Sequence, residues 1–121
     1  MGWMFLTDRP IYAQLMEQIK RRIISGVYAP GEKMPSVREL AAEAAVNPNT
    51  MQRAFAQLEQ EGLLYTQRTS GRFVTEDEER IQKMKQDLAK EMIADFLENM
   101  EQLGYSRPQA LKLMEKECEE I

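Results

Sequence analysis

Of the six glycines and five prolines in this chain of 121 residues, all but Gly104 and Pro108 lie before residue 76. Both residue types interrupt helices and strands. The first 75 residues therefore hold only short elements joined by tight turns, whereas residues 76–121 can run as long helix. Charge divides at the same place. Residues 1–75 carry 9 Lys/Arg against 7 Asp/Glu, a net of +2; residues 76–121 carry 7 against 13, a net of −6; together they give −4. Two parts are expected, 1–75 and 76–121.

Within the first part, Ile11, Leu15, Ile19 and Ile23 step by four, with Tyr12 and Met16 beside them, so an amphipathic helix should start near Pro10. Ser25-Gly26 ends it, and Tyr28-Ala29-Pro30-Gly31 reads as a turn. Lys20, Arg21 and Arg22 fall on the expected wet side of this helix. Ser36-Val37-Arg38-Glu39 is a capping box opening a short helix to about Ala44. Asn47 caps the next helix, Pro48 suits its first turn, and Met51, Phe55 and Leu58 form its apolar face up to Gly62. The period then changes. Leu63–Thr66 and Arg72–Thr75 are β-prone runs around Arg68-Thr69-Ser70-Gly71, the pattern of a hairpin. Three helices followed by a two-stranded hairpin make a winged helix-turn-helix.

In the second part, Ile81, Met84, Leu88, Met92, Phe96, Met100 and Leu103 step by three or four, with Ala89, Ile93 and Leu97 alongside. Gly104 ends that helix, and Ser106-x-x-Gln109 opens another whose stripe is Leu111, Met114, Cys118 and Ile121. A two-helix hairpin cannot bury so wide a face alone; a second copy can, which points to a homodimer. The dimerisation residues expected are Leu88, Met92, Phe96, Met100, Leu111 and Met114. Folding back onto the first part is the alternative. The fold class is mainly α with a small β-hairpin, an N-terminal winged helix followed by a helical dimerisation tail.

Several functions are excluded or disfavoured. With no histidine and one cysteine, the chain has no plausible metal, haem or Cys/His catalytic site, and no intramolecular disulfide. Cys118 is expected to be a buried small hydrophobe. The glutamate runs at Glu76–Glu79 and Glu115–Glu120 belong to solvated faces, so neither an enzyme nor a cofactor is expected. Met1–Leu6 is apolar but shorter than a signal-peptide core, and no run approaches the ~20 apolar residues of a membrane span. A cytoplasmic location is the simplest reading. The nine methionines are compatible with a small-molecule effector without indicating one.

The ordered series Pro10-Ile11-Tyr12, Gly26…Pro30-Gly31, Met34-Pro35-Ser36-Val37-Arg38-Glu39-Leu40-Ala41, Asn47-Pro48-Asn49-Thr50, Leu58-Glu59-Gln60-Glu61-Gly62-Leu63 and Gly71-Arg72-Phe73-Val74 resembles the GntR family of bacterial transcription regulators over residues 9–75. The Pro-Asn start of the third helix, with a short two-helix tail, resembles the YtrA subfamily. That resemblance implies a homodimeric repressor of double-stranded DNA, in a subfamily whose genes often sit beside transporter genes. Arg38 matches the arginine that reaches DNA from the second helix, Asn49, Thr50 and Gln52 match recognition-helix positions, and Gly71 matches the wing tip. Pro48 and Gln52 replace arginines common in relatives, so their operators do not transfer.

The residue types suit these places. Asn and Gln can read adenine, and arginine guanine, from the N-terminal turns of a recognition helix, here Asn49, Thr50, Gln52 and Arg53. Arg68 and Arg72 flank the wing tip, where arginine suits a narrow minor groove, and Thr69 and Ser70 can donate to phosphate. Arg38 pairing with Glu39 or Glu43 is the bland alternative, and Lys33 suits only a long-range phosphate role. The acidic whole argues against nucleic acid only until the charge is divided between reader and tail. A winged helix serving as a protein-interaction module without DNA is the rival, although its exposed recognition face should be apolar. No interleaved aromatic platform suggests RNA.

Overall fold

The computed structural model describes residues 2–120. Helix α1 spans Ile11–Ile24, α2 Val37–Ala44, α3 Pro48–Gln60, strands β1 Leu64–Gln67 and β2 Gly71–Val74, and helices α4 Glu78–Gln102 and α5 Arg107–Glu120. The chain separates into two compact units, Met1–Met84 and Lys85–Ile121. The first unit thus takes in the first two turns of α4. Met84 is buried there, and the Arg80 guanidinium donates to the Glu61 carbonyl at 3.1 Å.

The winged helix forms as the order of elements implies. Pro10 is the N-cap of α1, and Leu15, Ile19 and Ile23 point into the core. Ile11, one turn earlier on the same stripe, is left 37% exposed. The capping box of α2 is complete: the Glu39 N–H donates to Ser36 Oγ at 3.0 Å, and the Ser36 N–H donates to Glu39 Oε1 at 3.2 Å. Ala45 closes α2 with φ 56°, and Asn47 accepts the Asn49 N–H at 2.8 Å to start α3. Leu40, Met51, Phe55, Leu58, Leu64 and Val74 complete a fully buried core shared by all the short elements.

The hairpin is antiparallel, pairing Leu64 with Val74 and Gln67 with Gly71, one residue from the expected strand limits at each end. Leu63 gives its N–H to Leu58 O at 3.0 Å, closing α3, so it meets the hairpin only through its carbonyl, which accepts the Thr75 N–H at 2.9 Å. A feature without any periodic signal joins the sheet. After the turn in which Gly31 takes φ +77°, Met34 N–H donates to Arg72 O at 2.8 Å and Val74 N–H to Glu32 O at 2.9 Å. Residues 31–34 thereby brace β2 along its second edge, and Lys33 faces Phe73 in an isolated bridge.

The N-terminal segment is also ordered against α1. The buried Gln14 side chain accepts the Leu6 N–H at 2.7 Å and donates to the Leu6 and Arg9 carbonyls at 2.8 and 2.9 Å. Arg22 corrects the expectation of a wet face. It is 6% exposed, with its guanidinium 3.9 Å from the Trp3 ring centroid and donating to the Tyr28 hydroxyl at 3.3 Å. Lys20 pairs with Glu61 at 2.9 Å.

In the second unit α4 runs on to Gln102, Gly104 turns the chain, and Ser106 and Gln109 cap α5 reciprocally. Ala110 is buried, whereas Met92, Ile93, Phe96, Leu103, Leu111 and Met114 remain exposed on the single chain. Cys118 is exposed rather than buried. Ile121 of the expected stripe, like Met1 of the expected apolar start, lies outside the described residues. No helix among them is long and apolar enough to cross a membrane.

Candidate nucleic-acid interface

An open groove of about 620 Å³ lies where the start of α2, the outer face of α3 and the hairpin converge. Three separate elements supply its polar lining, Arg38 and Glu39 from α2, Gln52 from α3, and Ser70 and Arg72 from the hairpin, with Gly71 between the last two. Lys33, Thr66 and Thr69 stand in it as well. The local sequence explains the convergence. Ser36 fixes where α2 starts, so Arg38 falls on its first turn; Met51, Ala54, Phe55 and Leu58 anchor α3 inward and leave Gln52 exposed. Gly71 has φ +102°, a left-handed backbone that side chains rarely adopt, so any substitution there strains the wing, while the flexible Lys33 side chain, with Cε 3.3 Å from where a Cβ would lie, needs to move only slightly.

Arg38 is exposed and makes no ion pair among the described residues. Its nearest acidic neighbours in sequence are occupied, Glu43 with Arg22 at 3.7 Å and Glu39 in the cap. Hydrogen bonding by the Ser36 side chain, and then by its backbone, holds the Glu39 carboxyl below its ordinary range. Asn49 is exposed and Thr50 half-buried on the first turn of α3, outside the groove lining. Arg68 is exposed at the hairpin turn.

Two arginines are directed by partners that spacing did not reveal. The Arg53 guanidinium lies 3.7 Å from the Tyr12 ring centroid, a cation–π contact that ties α3 to α1. Arg72 is only half exposed rather than extended from the wing. Its Nε donates to Glu59 Oε1 at 3.2 Å, and its guanidinium lies 5.4 Å from the Phe55 ring centroid. Glu59 was not singled out by sequence. The Thr66 hydroxyl donates to the same Glu59 oxygen.

A second concavity, about 430 Å³, lies within the tail between α4 and α5. Met92, Phe96, Leu111 and Met114 line it, with Ile93, Leu97 and Arg107. Leu88 and Met100 are half-buried on α4 outside this lining.

Fold and groove together define a winged helix-turn-helix protein with a polar face on its recognition helix. Residues 11–74 match the GntR family of bacterial regulatory proteins. YhcF, an uncharacterised HTH-type transcriptional regulator of Bacillus subtilis, is 37% identical over 108 residues, covering 89% of each chain. The transcriptional repressor YtrA of Bacillus subtilis is 42% identical over 71 residues, 59% of this chain and 55% of YtrA. Among solved structures, a GntR family transcriptional regulator from Listeria monocytogenes superposes with a TM-score of 0.83 at 39% identity, covering 93% of this chain and 98% of that one. The DNA-binding domain of AraR in complex with its operator ORX1 gives a TM-score of 0.56 at 30% identity, covering 62% of this chain and 99% of that one. The chain belongs to the GntR family, and within it to the YtrA subfamily. Its class is that of DNA-binding transcription regulators, and these relatives are regulators rather than enzymes.

Proposed function

We propose that the protein is a homodimeric repressor whose two winged helices occupy the half-sites of a palindromic operator and block a promoter sterically. The observation that carries this reading is the convergence of Arg38, Gln52, Ser70, Gly71 and Arg72 from three elements on one open groove. Such a groove can hold the edge of a duplex, with α3 directed at base edges and the hairpin at the backbone. The absence of a competing ion pair at Arg38 among the described residues supports a role in meeting DNA. The exposed apolar side chains of Met92, Phe96, Leu111 and Met114 support pairing through the tail, because a second copy would remove them from water.

The charge division supports sequence-dependent binding. A reader of net +2 attracts phosphate weakly, and a tail of net −6 opposes loose attraction. Correct base contacts must therefore supply much of the affinity. Arg38→Ala and Gln52→Ala should each weaken binding to an operator recovered by selection from random duplexes, by roughly 1–3 kcal/mol where a base contact is lost. Both side chains are exposed, so the thermal midpoint should stay at its wild-type value. Fluorescence anisotropy and thermal melting measure the two quantities. Wild-type affinity in both variants would remove the groove from the binding surface.

A further inference from the structure

Glu59 is a negative charge held beside the groove, and on charge alone it should weaken any approach of phosphate. Its contacts suggest a different role. One carboxylate oxygen, Oε1, receives both the Arg72 Nε at 3.2 Å and the Thr66 hydroxyl, joining α3 to both strands of the hairpin. Arginine carries five N–H donors in a rigid fork, and this contact uses only the one at Nε. The terminal amino groups of Arg72 have no protein partner among the described residues, and Arg72 itself lines the groove. Beneath it, the Phe55 ring limits where the guanidinium can swing.

We propose that Glu59 is a positioning residue. It fixes the Arg72 guanidinium by its Nε edge so that the free edge meets a DNA phosphate. This rests on the reading that the groove receives duplex DNA. Two effects of Glu59 then oppose each other. Its charge repels phosphate at long range, while its acceptor oxygen keeps Arg72 oriented and removes the entropy cost of ordering a long side chain on binding. The second effect is short-ranged, and it survives in any side chain that presents an oxygen at the same place.

Glu59→Gln and Glu59→Ala separate these effects because they have the same net charge but differ in the acceptor. The full-length variants would be titrated with a labelled mixed-sequence duplex over a range of salt. Glu59→Gln should bind at least as tightly as wild type, having lost only the repulsive charge. Glu59→Ala should bind roughly five- to tenfold more weakly than Glu59→Gln, with a salt slope lower by about one as the Arg72 contact is lost. In an Arg72→Ala background the difference between the two should vanish.

Equal affinity of Glu59→Ala and Glu59→Gln would overturn the assignment. A difference that persists without Arg72 would also overturn it, placing the effect in hairpin stability through Thr66. Failure of the wild-type chain to bind duplex DNA at low salt would overturn the DNA reading itself, and this assignment with it.

Discussion

A full-length chain carrying Phe96→Lys is expected to sediment as a monomer and to bind a two-half-site operator at least about a hundredfold more weakly than wild type. Phe96 is 38% exposed on the single chain and lines the apolar concavity between α4 and α5. A lysine there stays solvated in a monomer. In a symmetric interface it would be buried twice, once from each protomer, and among the described residues the only charged one lining that concavity is the like-charged Arg107. The loss of DNA binding follows from linkage. Once one half-site is occupied, a tethered second reader faces the other half-site at a high effective concentration; an untethered one must find it from solution. The substitution makes the chain more positive, so non-specific attraction moves against the expected result. A Phe96→Lys variant that remained dimeric with undiminished affinity would place the interface elsewhere on the molecule.

The second large effect is on folding. Phe55→Ala should cost about 3–5 kcal/mol, because it removes a fully buried aromatic ring and leaves a cavity that surrounding side chains fill only in part. A domain of this size has a total stability of roughly 5–15 kcal/mol, so the variant should sit close to its unfolding threshold. Phe55 lies on α3 in the groove lining, with the Arg72 guanidinium 5.4 Å from its ring centroid, so the same change loosens the reader. Urea unfolding would show a lower midpoint at an unchanged slope. A cost below about 1 kcal/mol would contradict tight packing at this position.

The helices of the winged helix were legible because their ends carry local chemistry. Ser36 with Glu39 and Asn47 with the Asn49 N–H, like Ser106 with Gln109 in the tail, each satisfy donors within three residues, so position in the chain is enough to find them. The hairpin was displaced by one residue because Leu63 spends its N–H on the end of α3, a choice made by the helix rather than by β-propensity. The clasp around Gln14, the burial of Arg22 against Trp3, and the brace formed by residues 31–34 carry no period at all. They depend on partners brought together only by the completed fold.

The groove shows the same division between type and direction. The resemblance to the GntR family pointed to Arg38, Gln52 and the wing together, and the structure brings these residues to one groove. It did not show which way each guanidinium would turn. Tyr12 draws Arg53 toward α1, and Glu59 draws Arg72 toward α3, each through a contact between residues distant in sequence. The net charge of −4 is likewise an average over a reader of +2 and a tail of −6, and it describes neither.

The most direct measurement is selection of random-sequence duplexes by the full-length protein, followed by sequencing of the retained fragments. A homodimeric reader predicts an enriched inverted repeat whose half-site centres are about 10–11 base pairs apart, one helical turn along one face of the duplex, or a multiple of that spacing. Recovery of fragments with no enriched sequence, or of a single unrepeated half-site, would contradict it.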